Sequence, residues 1–274
     1  MTCAAIRRLA VAAAIALAGW FAAALPTLAA PPTPTAAPNA SPFADWAAIV
    51  VAGDAHAHSG GPSEAFDNAR RDVARALISA GFQPQNLREF STQPRRYKPA
   101  PGKSDIDGLY DALRALADRA QEGCLVYFTS HGAPEGVVVD DRLLAPGVLG
   151  AMLDQTCGKR PTVVIISACF SGVFVPELAE PNRMVLTAAR PDHSSFGCDE
   201  ADRYPYFDDC FLHEFPAAHD FPALGRAVQG CVARRERETG AQPPSEPQLS
   251  VGAALRPLLP LYPLRTGAST ATRY

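Results

Sequence analysis

Two stretches of the chain run as an apolar strand straight into a reactive side chain and then into small residues. They are Val126-Tyr-Phe-Thr-Ser-His131-Gly132 and Ile165-Ile-Ser-Ala-Cys169-Phe-Ser-Gly172. A thiol becomes a strong nucleophile when a nearby imidazole takes its proton or favours the thiolate. If the two strands are adjacent and parallel they lie ~4.8 Å apart, so His131 and Cys169 leave one sheet edge side by side. Gly132 would let a substrate carbonyl approach the backbone, with its N–H as one oxyanion donor and the Cys169 N–H as the second. Each residue alone reads more simply. A cysteine ending an apolar strand is more often a small buried hydrophobe, and a histidine before glycine often caps a turn. The paired placement at two strand ends is what points to acyl transfer.

A second constellation, Asp54-Ala-His56-Ala-His58, follows another apolar run. His-x-His after a first strand is also how metal-dependent amidohydrolases begin, because alternate strand residues point the same way. That chemistry needs further histidines and an aspartate at later strand ends. Only His131, His193, His213 and His219 remain, and of these His131 alone clearly follows a strand. A (β/α)₈ barrel also needs ~250 residues, so these histidines are expected to line a cleft or face solvent. The acidic residues Asp199, Glu200, Asp202, Asp208 and Asp209 read as solvated surface, and Arg234-Arg-Glu-Arg-Glu238 as an exposed helix end.

The elements that must position these residues follow from the hydrophobic pattern. Strands are predicted at Trp46–Ala52, Leu87–Phe90, Cys124–Thr129, Thr162–Ala168 and Met184–Ala188. Helices are predicted at Ala65–Ala80, Asp105–Gln121, Pro146–Gln155 and Ala223–Glu238. Strands alternating with helices imply an α/β fold with a mostly parallel sheet covered on both faces. Ligands of such sheets bind beyond the carboxyl ends of the strands, where both reactive residues fall.

The ends of the chain read differently. Arg7-Arg8, the uncharged run Leu9–Leu25 and the small residues before Pro31 form a secretory signal over residues 1–30. Residues 31–44 are a Pro/Ala-rich tether, 45–239 the catalytic domain and 240–274 a Pro-rich extension wrapping the surface. The protein is therefore expected to be exported, periplasmic or secreted, and to meet a membrane only if the signal stays uncleaved. In an oxidising compartment some of the six cysteines beyond Cys3 should pair, and Cys198 with Cys210 is the preferred bridge across a loop-like segment. A formal charge of −3 on 274 residues gives no basic excess, so nucleic acid is not expected as a partner.

Three motifs in order resemble the legumain-like peptidases, family C13 of the caspase-like clan. Thr129-Ser-His-Gly-Ala-Pro134 resembles the family's histidine motif, and Ser167-Ala-Cys-Phe-Ser-Gly172 its cysteine motif. Thr187-Ala-Ala-Arg-Pro-Asp-His-Ser-Ser-Phe-Gly-Cys198 is similar to the segment lining its primary specificity pocket. The resemblance, from roughly Trp46 to Phe211, implies a caspase-like three-layer sandwich. It implies an endopeptidase acting on peptides or proteins without a cofactor, with His131 and Cys169 catalytic and Gly132 and the Cys169 amide in the oxyanion hole. Ser194, Ser195 and Asp209 would line the substrate pocket. Ser167 and Phe170 depart from the glutamates that legumains carry there, and no pocket arginine stands in the Glu64–Asn68 neighbourhood. A non-catalytic module of the same fold, with an unreactive Cys169, is the remaining alternative.

Overall fold

A computed structural model of the chain describes residues 41–264. The predicted signal, most of the tether and the last ten residues of the extension lie outside the described residues. Among the described residues no helix is long and apolar enough to cross a membrane.

In chain order the first half comprises β1 (Trp46–Ala52), α1 (Ala65–Ser79), β2 (Leu87–Ser91), β3 (Gly102–Lys103), α2 (Ile106–Arg119) and β4 (Gly123–Thr129). Three short strands follow, β5 (Gly132–Ala133), β6 (Gly136–Val139) and β7 (Arg142–Leu144). Then come α3 (Pro146–Thr156), β8 (Thr162–Ser167), α4 (Phe174–Leu178) and β9 (Arg183–Thr187). The chain ends with α5 (Tyr206–Glu214), α6 (Phe221–Thr239), β10 (Gln248–Val251) and α7 (Leu255–Leu258).

Seven strands form one sheet in the order β10-β9-β8-β4-β1-β2-β3. All pairings are parallel except that of β10 with β9. The central strands β1, β4 and β8 are buried along their whole length, which explains their unbroken apolar runs. Alternate residues feed two cores. Trp46, Ala48, Val50, Leu125, Tyr127, Val163 and Ile165 pack with α1, α5 and α6, while Ala47, Ile49, Val51, Val126, Phe128, Val164 and Ile166 pack with α2, α3 and α4. The result is a three-layer α/β/α sandwich.

Two disulfides staple these layers. Cys124–Cys157 ties β4 to the end of α3, and Cys210–Cys231 ties α5 to α6. The expected Cys198–Cys210 bridge is thereby corrected: Cys210 lies in a helix whose buried face meets α6, whereas Cys198 stays free in the preceding loop. The segment after Gly240 is also more than a surface wrap. Its β10 pairs with β9 from Gln248↔Thr187 to Val251↔Met184, closing that sheet edge. Glu236, expected at an exposed helix end, is buried and accepts hydrogen bonds from the Ser245 N–H (3.1 Å) and hydroxyl.

Peptide mapping without reduction is expected to recover Cys124 with Cys157 and Cys210 with Cys231, leaving Cys169 and Cys198 open to alkylation. Replacing Cys210 by alanine should lower the unfolding free energy by about 2–4 kcal/mol in urea titrations. A mapped Cys198–Cys210 bridge would contradict this pairing.

Candidate active site

The site lies at the carboxyl edge of the sheet, over β1, β4 and β8. Register fixes its centre: β4 and β8 pair in parallel up to Thr129↔Ser167, and the Ser130 N–H then donates to the Ser167 carbonyl at 3.0 Å. Two residues beyond each member of that last pair stand His131 and Cys169. Both are half-buried and line one cleft of about 290 Å³ together with Asp54, His56, His58, Gly132 and Ser194.

The two motif backbones touch. A Cβ built on Gly132 would stand 2.2 Å from the Cys169 carbonyl oxygen and 3.0 Å from the Ala168 Cβ. Only glycine permits that approach. The glycine of the cysteine motif has a parallel reason, since a Cβ on Gly172 would meet the Pro191 nitrogen at 2.5 Å. Between them Phe170 adopts a left-handed conformation at φ 57°, turning the chain sharply away from Cys169.

The His131 ring is held on two sides. Its Nε2 lies 3.0 Å from the His56 carbonyl oxygen, and its ring meets Phe66 edge-on at 5.0 Å between centroids. A carbonyl only accepts, so this bond puts the proton on Nε2 and leaves Nδ1 with its lone pair in the neutral ring. His56 thus serves through its backbone, while its own Nδ1 turns to Asp54 Oδ1 at 2.8 Å. His58 lies further off, its ring 6.4 Å from that of His131. No group of three or more histidine, cysteine, aspartate or glutamate side chains suited to a metal ion occurs among the described residues.

Cys169 Sγ is gripped by the loop that follows β9. It receives the Ser195 N–H at 3.2 Å and lies 3.6 Å from the Ser195 carbonyl oxygen and 3.5 Å from its hydroxyl. The same loop is pinned by the Phe170 N–H donating to the His193 carbonyl at 2.8 Å. It is braced from behind by the C-terminal segment, where the Arg190 N–H donates to the Ser245 carbonyl at 2.8 Å. The other free thiol, Cys198, is pushed up to about 11, by burial first and then by the Cys169 charge, and so is poorly suited to attack.

Ser194 and Ser195 therefore both stand at the cleft. Asp209 does not line it: its carboxylate pairs with Arg235 of α6, whose guanidinium stacks 4.3 Å from the Tyr206 ring centroid. The residue that sequence reasoning missed is its neighbour Asp208. That side chain is wholly buried and accepts from Tyr127 Oη, from Thr129 Oγ1 at 2.8 Å and from Ser167 Oγ at 2.8 Å. The signal that could have found it was the phase of α5, which turns 208 inward with Phe207 and Phe211 and 209 outward.

Burial and hydrogen bonding oppose each other at Asp208. Bonds to a charged group contribute about 1.5–3 kcal/mol each, and burying a carboxylate costs several kcal/mol. Burial wins, raising Asp208 from 3.8 to about 6.

A seven-stranded, mostly parallel sheet between two helical layers, with histidine and cysteine at adjacent strand ends, defines a caspase-like α/β fold. Caspase-1 from Spodoptera frugiperda shares this fold, with a TM-score of 0.56 over 82% of this chain and 94% of that one at 17% sequence identity. The Peptidase C13 family model matches residues 102–228, a stretch that holds both His131 and Cys169. No curated protein matches the chain. Over residues 102–228 the chain is similar to the Peptidase C13 family, and that match together with the shared fold supports a cysteine peptidase.

Two outcomes follow for this site. Gly132→Ala should reduce peptidase activity by at least about tenfold while the protein still folds, because the added methyl would force the two motif backbones apart. Since the folded state binds the Asp208 proton more tightly than the unfolded chain, the Asp208 contribution to stability is fully present below about pH 3.8 and is lost as pH rises through about 6. Asp208→Asn should remove that component, by up to ~3 kcal/mol, from the pH dependence of urea denaturation.

Proposed function

We propose that the protein is an exported endopeptidase that cleaves peptide bonds through a His131–Cys169 dyad. The observation that carries this reading is the lone pair left on His131 Nδ1 by the Nε2–His56 carbonyl bond, in a cleft shared with the Cys169 thiol. His131 takes the thiol proton, and the thiolate attacks the scissile carbonyl to form a tetrahedral oxyanion. The Gly132 and Cys169 N–H groups stabilise that oxyanion. Collapse expels the amine, which leaves with the proton held by His131, and a thioester joins the acyl group to Cys169. Water, deprotonated by His131, then releases the acid and restores the thiol.

No metal or organic cofactor enters these steps. Ser194 and Ser195 would meet the side chain preceding the scissile bond. Asp209, engaged by Arg235, is not offered to a basic side chain there. Export rests on the sequence of residues 1–30 alone. The metal amidohydrolase has little support, because His56 is committed to Asp54 and the sheet is open rather than a barrel.

The test is cleavage of a diverse peptide library by protein beginning at Pro31. Wild-type protein is expected to cleave, to be silenced by iodoacetamide and to be indifferent to chelators. Cys169→Ala and His131→Ala should each lose about a thousandfold or more. Cleavage that survives Cys169→Ala, or that a chelator abolishes, would overturn the dyad.

A further inference from the structure

We propose that Asp208 is a positioning residue for this chemistry: its buried carboxylate clamps the ends of β4 and β8 so that His131 and Cys169 keep their mutual alignment. The inference rests on the dyad reading above and adds a residue to it.

Thr129 and Ser167, two of the three donors to this carboxylate, are cross-strand partners in register. Each lies two residues before a member of the dyad. The third donor, Tyr127, sits on the same face of β4, two residues further from the edge. Immediately beyond Thr129 and Ser167 the two chains part. His131 passes into the small sheet, where its carbonyl accepts from the Val138 N–H at 2.9 Å, and the cysteine segment turns away at Phe170. After the Ser130 N–H bond to Ser167, the backbone ladder between the strands ends. The carboxylate is thus the last side-chain link joining them below the site.

Energetics argue against a purely stabilising role. No cationic side chain pairs with Asp208 among the described residues, and an apolar side chain packed there would avoid the burial cost of the charge. What a carboxylate supplies, and an apolar group does not, is two acceptor oxygens. Its Oδ2 accepts from one hydroxyl on each strand, which fixes their relative position along the strand axis. A shift of about 1 Å between reacting groups costs around a hundredfold in rate, so this fixing reaches the chemistry.

Single-link variants test the clamp. Thr129→Val frees the histidine strand, Ser167→Ala frees the cysteine strand, and Tyr127→Phe removes a bond to the same carboxylate further from the edge. The first two should lower kcat on a peptide substrate by about tenfold or more with KM changed less than about twofold, and should slow iodoacetamide alkylation of Cys169 to a similar degree. Tyr127→Phe should lower the melting temperature comparably but change kcat and alkylation less than about twofold. Asp208→Asn, where it folds, should be at least as slow as either single-link variant.

Equal rates per folded molecule in Thr129→Val, Ser167→Ala and wild type would overturn the clamp. So would a Tyr127→Phe loss as large as theirs. Absence of peptide cleavage by the wild-type protein would instead count against the dyad reading, and the alkylation rates of the same variants would still decide the clamp.

Discussion

The parallel pairing of β4 with β8 sets the conditions for everything else in this molecule. Strands in that arrangement rise together and end together, so the residues that follow them emerge at one edge about one strand spacing apart. Thr129 and Ser167 are the last such pair, and the histidine and cysteine motifs begin where it ends. The constraint has a cost in sequence. Both strands must be buried on both faces, which requires helices on each side and accounts for the two separate cores. It also demands that nothing bulky stand between the diverging chains. Gly132 meets that demand against the Cys169 carbonyl, and Gly172 gives the same clearance against Pro191 in the loop after β9.

Around this frame the polar groups divide the work. The His56 carbonyl orients the imidazole, the Ser195 amide addresses the sulfur, and the left-handed turn at Phe170 brings the chain back beneath the loop that carries Ser195. That loop depends in turn on the C-terminal segment, through Ser245 and Glu246 contacts to Arg190. The residues beyond Gly240 therefore support the cleft from a distance in sequence as well as closing the sheet. The disulfide between α5 and α6 braces the helix from which Asp208 reaches the strand ends.

Much of this was legible in the sequence because its physical signal is local. The long buried strands appear as unbroken apolar runs, and His131 and Cys169 stand out as reactive side chains at the ends of two of them. Features requiring knowledge of a partner were not legible. The three strands β5 to β7 span two to four residues each, too short for a hydrophobic period. The strand β10 lies among prolines and is set by pairing with β9 rather than by its own composition. Helix α5 begins after Pro205 within an acidic segment that reads as a loop, and that reading assigned Cys210 the wrong partner. Asp209 was placed in the pocket by resemblance, whereas the phase of α5 sets it against Arg235 and turns the adjacent Asp208 into the core. His56 contributes through a backbone carbonyl, for which side-chain type carries no signal.

The most direct measurement of the central claim is acid-quench mass spectrometry of the protein during turnover of an activated peptide ester. An acyl mass is expected on the peptide containing Cys169, formed rapidly in wild-type protein and reduced by orders of magnitude in His131→Ala. Acylation at Cys198, acylation of Cys169 at the same rate without His131, or turnover with no covalent acyl species would contradict it.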